Sequence, residues 1–377
     1  MKNNINLYIA LLLITALIFF SLTIFAFGHT ETQKISLSAN SAVLYQPETQ
    51  LFLYTKNANQ RLPMASTTKI MTALVALEQT ELADVVVIGE SSVGIEGSSA
   101  YLKSGEELTM EELLYALLLQ SANDAATAIA YYIGGDVEGF SALMNEKAVS
   151  LGLNDTHFTN PHGLDSTEHY TTASDLAIIA AEAMKNDTFK TIVSTYKKSF
   201  STEERSRTYV NHNKLLRMYD GCIGIKTGFT KKSGRCLVAA AERDGLTFIS
   251  VTLDAPSDWS DHKKMLDFGF ESLEKINFAE SEEYCYKIPI LGGESDQVTV
   301  VNSVEASAIL QKGDYLMKQE IKLVPYAIAP VNQGEILGEI VFTVDGQEVS
   351  RVNLVAKETI LKKKEKGLLD KFFSLFN

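Results

Sequence analysis

Ser66 and Lys69, three residues apart, are the first of several polar residues whose types suit acyl transfer. A serine hydroxyl is a poor nucleophile until a base removes its proton, and a neutral lysine one helical turn away can do that. Lysine is normally protonated at neutral pH, so its pKa must be lowered by burial or by a second cation. Lys226, in Lys226-Thr227-Gly228, is the candidate second cation, and Gly228 leaves room for a substrate backbone to lie alongside. Between them stands Ser121-Ala122-Asn123, where Ser121 could pass a proton to a leaving amine and Asn123 could hold a substrate amide. No single motif is specific. Ser-x-x-Lys recurs at Ser194/Lys197, Ser260/Lys263 and Ser272/Lys275, Ser-x-Asn at Ser38/Asn40, and Lys-Ser-Gly at 103–105 and 232–234. Only the Ser66 copy is followed, in order and at domain-scale spacing, by Ser-x-Asn and Lys-Thr-Gly.

The elements around these motifs can position them. Met64 to Gln79 reads as a helix, with Ile70, Leu74 and Leu77 on one face and Pro63 and Ser66 suiting its start. That puts Ser66 in the first turn. Ser121 and Asn123 follow the apolar helical run Met110 to Leu119 and are expected at the helix end, projecting into a cleft. Further helical runs cover 125–133, 140–151 and 174–184. Strands are predicted at Ser41–Tyr45 and Leu51–Tyr54, then at Lys226–Thr230, Arg235–Glu242 and Leu246–Leu253, with turns at Pro47 and at Arg243-Asp244-Gly245. Strands at both sequence ends with helices between them imply one antiparallel sheet covered by helices.

The ordered motif set gives the chain its resemblance. It is similar to the serine D-alanyl-D-alanine carboxypeptidases, the low-molecular-weight penicillin-binding proteins of the S11 peptidase group. The carrying stretches are 62–69, 121–125, Asn160-Pro161-His162-Gly163-Leu164, 172–176 and 224–228. The resemblance is strong over about 35–275 and weaker to about 357. It implies an α/β fold, a DD-peptidase-like antiparallel sheet covered by helices with a small all-β domain after it. It implies Ser66 as acyl-forming nucleophile, Lys69 as proton acceptor and Ser121 as relay. Asn123, Lys226, Thr227, Gly228 and Phe229 would bind substrate, with the backbone N–H groups of Ser66 and Phe229 as oxyanion hole. It implies peptidoglycan stem peptides as substrate, β-lactams as mimics, and no cofactor or metal. One departure stands out. Relatives commonly carry a carboxylate-binding arginine between the last core strand and the last helix of the catalytic domain, and residues 255–264 contain none.

The rest of the chain is read more coarsely. A net charge of −13 argues against a nucleic-acid partner. The six histidines are scattered with no His-Glu-x-x-His, which argues against a metal hydrolase. His162, in a Pro/Gly loop, is given a structural role. Residues 3–28 carry no charge and follow Lys2, as in an export signal; Ala26-Phe27-Gly28 suits cleavage after Gly28, and retention as an anchor is the alternative. Either way the catalytic part is expected outside the cytoplasm, at the outer face of the membrane or in the wall. Cys222 and Cys236 flank the Lys-Thr-Gly strand; a turn at 231–234 would set Cys236 opposite Phe229 and Cys222 far along the ladder, so buried thiols are expected rather than a disulfide. A helix from Asp261 to Ile276 closes a catalytic domain spanning 34–276. A β-rich domain follows over 277–358, with strands at 298–301, 321–325, 340–344 and 349–355 and a turn at Asp345-Gly346. In the tail, 359–377, four lysines (Lys362, Lys363, Lys364, Lys366) precede an amphipathic Leu/Phe helix suited to an anionic membrane surface.

A β-lactamase shares the three motifs, but the Glu-x-x-Leu-Asn string of class A enzymes is absent. A transpeptidase or endopeptidase acting on cross-links, or a catalytically silent wall-binding protein, are the other readings.

Overall fold

The structure, a computed structural model, describes residues 35–201 and 205–364 of the 377-residue chain. The export segment at 1–28 and the amphipathic stretch from 368 onward lie outside the described residues. Among the described residues no helix is long and apolar enough to cross a membrane.

A five-stranded antiparallel sheet carries the N-terminal half, in the order Leu51–Lys56, Ser41–Gln46, Leu246–Leu253, Gly234–Arg243, Cys222–Thr230. The Lys-Thr-Gly strand is thus an edge strand. Because strand side chains alternate between faces, each face has its own cover. Val43, Tyr45, Ile249, Val251, Val238 and Cys236 join the large core beneath the helices Lys69–Gln79, Met110–Leu118, Asn123–Gly134 and Ala173–Met184. On the other face Leu44 and Phe248 meet the helix Asp258–Ser272, whose Gly269 lets the backbones approach: a Cβ there would lie 3.1 Å from side-chain atoms of both. His262 of that helix is fully buried between the hydroxyls of Ser250 and Thr252, at 2.7 and 2.9 Å. Burial drops its pKa to about 3.

Three expectations need correction. The closing helix ends at Ser272, not Ile276, because Leu273–Ala279 leaves as a strand paired with Ala306–Gln311. The hairpin after Lys226 turns through three residues, 231–233, not four. Cys236 therefore faces Gly228, and Phe229 faces Arg235. Gly234, at φ 63°, accommodates the tighter return. Cys222 and Cys236 are free thiols, but only Cys236 is buried in the core and Cys222 is half-buried.

The all-β C-terminal domain is a six-stranded sheet ordered Met317–Leu323, Ile336–Val344, Gln347–Ala356, Gln297–Asn302, Cys285–Leu291, Ala327–Ile328. Its core gathers Ile288, Val298, Val300, Val331, Ile340, Phe342 and Leu354. The Asp345-Gly346 turn has both residues at positive φ, the requirement of a two-residue hairpin.

Candidate active site

Ser66 lies in a short 3-10 turn, Ala65–Thr68, which runs into the helix Lys69–Gln79. Ala65 sits at φ 48°, a conformation costly for a residue with a Cβ, and its neighbours hold it there. Thr159 N–H donates to His169 Nδ1 at 3.0 Å, so His169 carries its proton on Nε2 and donates to Thr68 Oγ1 at 2.8 Å; Thr68 in turn donates to Ala65 O at 2.8 Å. Burial lowers the pKa of His169 to about 4, which keeps the ring neutral at neutral pH. Gly163, at φ 89°, presses on the same turn. A Cβ there would fall 1.9 Å from Ala65 O, so only glycine permits the approach.

Lys69 is completely buried. Its Nζ lies 2.7 Å from Asn123 Oδ1, 2.6 Å from His162 O and 3.1 Å from Ser66 Oγ. The first two are carbonyl oxygens, which can only accept. A neutral amine has two N–H bonds and one lone pair, and two carbonyls take both N–H bonds. The lone pair is then left for the Ser66 hydroxyl. Burial, with the charge of Lys226 behind it, holds the Lys69 pKa well below its usual value, so the neutral form this geometry needs is favoured. Ser66 itself is only half-buried, open to an incoming acyl group.

Asn123 does not end a helix as expected; it opens the helix Asn123–Gly134, and Ser121 lies in the preceding link at φ 62°. Its amide is committed at both ends, accepting from Lys69 and donating Nδ2–H to Glu96 O. It therefore orients Lys69 as well as facing the cleft. Asp124, which the sequence reading left without a role, ties the neighbouring loop down by accepting from Ser99 Oγ at 2.6 Å and from the N–H groups of Ala100 and Leu102.

Lys226 is also buried, and burial brings its pKa to about 7. Its Nζ donates to Thr227 O at 2.9 Å. Gly228 packs directly on the nucleophile turn: a Cβ would lie 3.0 Å from Ser66 N and 3.1 Å from Thr67 N. The glycine is thus needed by the protein's own packing as well as by any ligand. Phe229 is exposed. Ser66, Lys69, Asn123, Lys226 and Gly228 come together beside the free edge of the sheet. The site's dependence on the His162 carbonyl, His169 and Gly163 was missed; the quoted stretch Asn160–Leu164 carried the signal without its meaning.

The geometry of a serine acyl-transferase is matched by comparison with known proteins. The D-alanyl-D-alanine carboxypeptidase family matches residues 28–257, and the penicillin-binding protein 5 C-terminal domain matches 273–362. The chain belongs to the serine D-alanyl-D-alanine carboxypeptidase family. It is 34% identical over 343 residues to the D-alanyl-D-alanine carboxypeptidase DacF of Bacillus subtilis, covering 88% of each chain. Penicillin-binding protein 5 from Haemophilus influenzae superposes with a TM-score of 0.65 at 28% identity, over 89% of this chain and 100% of that one. The Streptomyces K15 DD-transpeptidase gives a TM-score of 0.60 at 38% identity, over 63% of this chain and 98% of its own.

Proposed function

We propose that this chain removes the terminal D-alanine from peptidoglycan stem pentapeptides through an acyl-enzyme on Ser66. The observation that carries this reading is the Lys69 amine, with both N–H bonds spent on carbonyls and its remaining position 3.1 Å from Ser66 Oγ. Lys69 takes the Ser66 proton as Oγ attacks the penultimate D-Ala carbonyl. The oxyanion is met by the backbone N–H groups of Ser66 and Phe229. Ser121 delivers a proton to the departing D-alanine amine, Lys226 and Thr227 face the terminal carboxylate, and water then releases the shortened peptide. β-Lactams acylate the same serine. Penicillin should add its mass to Ser66, and the protein should release D-alanine from a stem-pentapeptide mimic. A stable adduct on Ser194, Ser260 or Ser272 instead would overturn the assignment.

A transpeptidase reading is favoured by the likeness to the Streptomyces K15 DD-transpeptidase. Supplying a glycyl amine acceptor separates the two, since transfer yields a new amide where hydrolysis yields a free acid.

The reading extends to the chain ends. Residues 1–28 export the protein or anchor it, 34–276 form the catalytic domain, 277–358 the β-rich spacer, and 359–377 bind anionic lipid at the outer face of the membrane. The exposed lysines Lys362 to Lys364 support the last point. Residues 29–377 should bind anionic vesicles at low salt and 29–360 should not; failure of the longer chain to bind would make the tail a packed structural segment.

A further inference from the structure

A substrate that ends in a carboxylate needs a cation, and the buried lysines supply one poorly. Lys226 is 1% exposed and donates to its own strand at Thr227 O, and burial lowers its pKa to about 7, so its cation is weakened as well as shielded. Lys69 is committed to Ser66. The segment 255–264 contains no arginine, but its Asp258 grips one from the strand Gly234–Arg243, Arg235. Asp258 Oδ2 lies 2.8 Å from a terminal nitrogen of Arg235, and Trp259 lies beneath the guanidinium at 5.6 Å from ring centroid to Cζ. Asp258 is 3% exposed and fixed by accepting Trp259 N–H at 2.9 Å, so the acid is a rigid post. The Arg235 side chain is 42% exposed, and among the described residues only that one nitrogen is engaged. The other terminal nitrogen and Nε are unspent.

Register puts this guanidinium beside the cleft. Arg235 lies directly opposite Phe229, and its diagonal neighbour on the edge strand is Thr227. Opposite residues stand about 5 Å apart and diagonal ones about 7–8 Å, within reach of a long side chain. Thr227, Phe229 and Arg235 share one face of the sheet, Lys226 and Gly228 the other. A chain end lying along the free edge can be met from both faces. From the registers and this unspent fork we infer that Arg235 binds the substrate's terminal carboxylate together with Thr227, with Asp258 and Trp259 holding it in place. This rests on the acyl-enzyme reading and deepens it. The chemistry follows from the fork geometry of guanidinium, which donates two parallel N–H bonds to a carboxylate and keeps its charge at every working pH.

The test compares acylation of Ser66 by benzylpenicillin, which carries a carboxylate, with acylation by its methyl ester, read by intact mass. A second arm compares peptides ending in D-Ala-D-Ala with the same peptides as carboxamides. Arg235→Gln should slow acylation by the free acid about tenfold or more while leaving the ester within about threefold. Arg235→Lys should recover part of the acid preference, and replacing the neighbouring turn lysines Lys231 and Lys232 by alanine should leave it intact. An unchanged acid-to-ester ratio in Arg235→Gln, an equal loss on both compounds, or a ratio that collapses with Lys231 and Lys232 instead would each overturn the assignment. If the wild type acylates yet cleaves neither peptide, the carboxypeptidase reading fails, while the penicillin arm still decides the role of Arg235.

Discussion

Between Ser38 and Ser272 the chain buries Lys69, Lys226, Asn123, Asp124, His169 and His262, whereas from Leu273 to Lys364 Asn302 is the one buried polar side chain among the described residues. Asn302 spends its whole amide on a turn, accepting Tyr284 N–H and donating to Glu280 O and Val304 O. The charges of the β-rich half pair at the surface, as Arg351 does with Glu339 and Glu348. Burying an ionisable group costs free energy unless its partners compensate it, so such groups persist where function requires them. The contrast separates a half that keeps ionisable groups buried from one that keeps its charges at the surface. Burial alone is not the marker, however: His262 is as buried as Lys69 but saturated by two hydroxyls on the sheet's far face. What marks the site is a buried group with capacity left over, pointed at an open cleft.

The largest break comes from Lys69→Met. The side chain keeps its length and loses the base, so penicillin acylation and D-alanine release should fall about a thousandfold or more, while the fold survives. A variant acylating at a tenth of the wild-type rate would end the proton-acceptor role.

Lys226→Met has a smaller and two-sided effect. The charge of Lys226 helps depress the Lys69 pKa, so its removal lets that pKa rise, and the acidic limb of kcat/KM should move to higher pH. Stability should move the other way. The pKa of Lys226 is about 7 folded against 10.5 unperturbed, so within that window the unfolded chain binds more protons and wild-type stability rises with pH. The penalty is fully present below pH 7 and fades towards 10.5. Lys226→Met should therefore raise the melting temperature most at or below pH 7, by a gain on the order of a few kcal/mol. Equal melting temperatures for wild type and variant at pH 6 would show that the lysine is not strained.

Gly163→Ala tests the brace rather than the base. With a Cβ 1.9 Å from Ala65 O and φ at 89°, the loop must withdraw from the nucleophile turn. The expected loss is about 1–3 kcal/mol of stability and about tenfold or more in acylation, since His162 O leaves Lys69 as the loop moves. Acylation at the wild-type rate would mean that Lys69 does not need that carbonyl.

Part of this was legible from spacing. Three residues on a helical turn bring Ser66 and Lys69 to one face, and the Asp244-Gly245 turn fixes the hairpin that precedes Leu246–Leu253. The unread parts depend on backbone conformations that no local pattern announces. Ala65 and Ser121 sit at positive φ only because tertiary contacts hold them there, so a plain helix start and helix end were expected. The Cys236 register was off by one because three- and four-residue turns share the same Lys-Lys-Ser-Gly signal. The first residues of the Leu273–Ala279 strand, up to Ile276, continue the helical spacing and so extend the expected helix; the pairing with Ala306–Gln311 that makes them a strand is non-local. The hairpin Lys197–Ser201 with Ser206–Val210 and the helix Asp187–Ser194 were not read at all, being short and largely polar.

Ile340→Ala bears on the other side of the comparison and should move turnover least. Ile340 is fully buried in the β-rich core, with Val352 opposite it on one neighbouring strand and Ile321 on the other. Truncating it removes apolar contacts and leaves a cavity, a loss of about 2–5 kcal/mol in that half. No residue of the cleft touches this core, and the large catalytic core is a separate cluster. Turnover of a soluble peptide should therefore stay within about twofold below the new unfolding temperature, even as the unfolding of the β-rich half shifts down. A drop in turnover that tracks this lost stability at temperatures where both halves are folded would show that the β-rich half shapes the cleft as well as holding it in place. The Leu273–Ala279 strand, which runs straight on from the helix whose Asp258 holds Arg235, would then be the element to examine next.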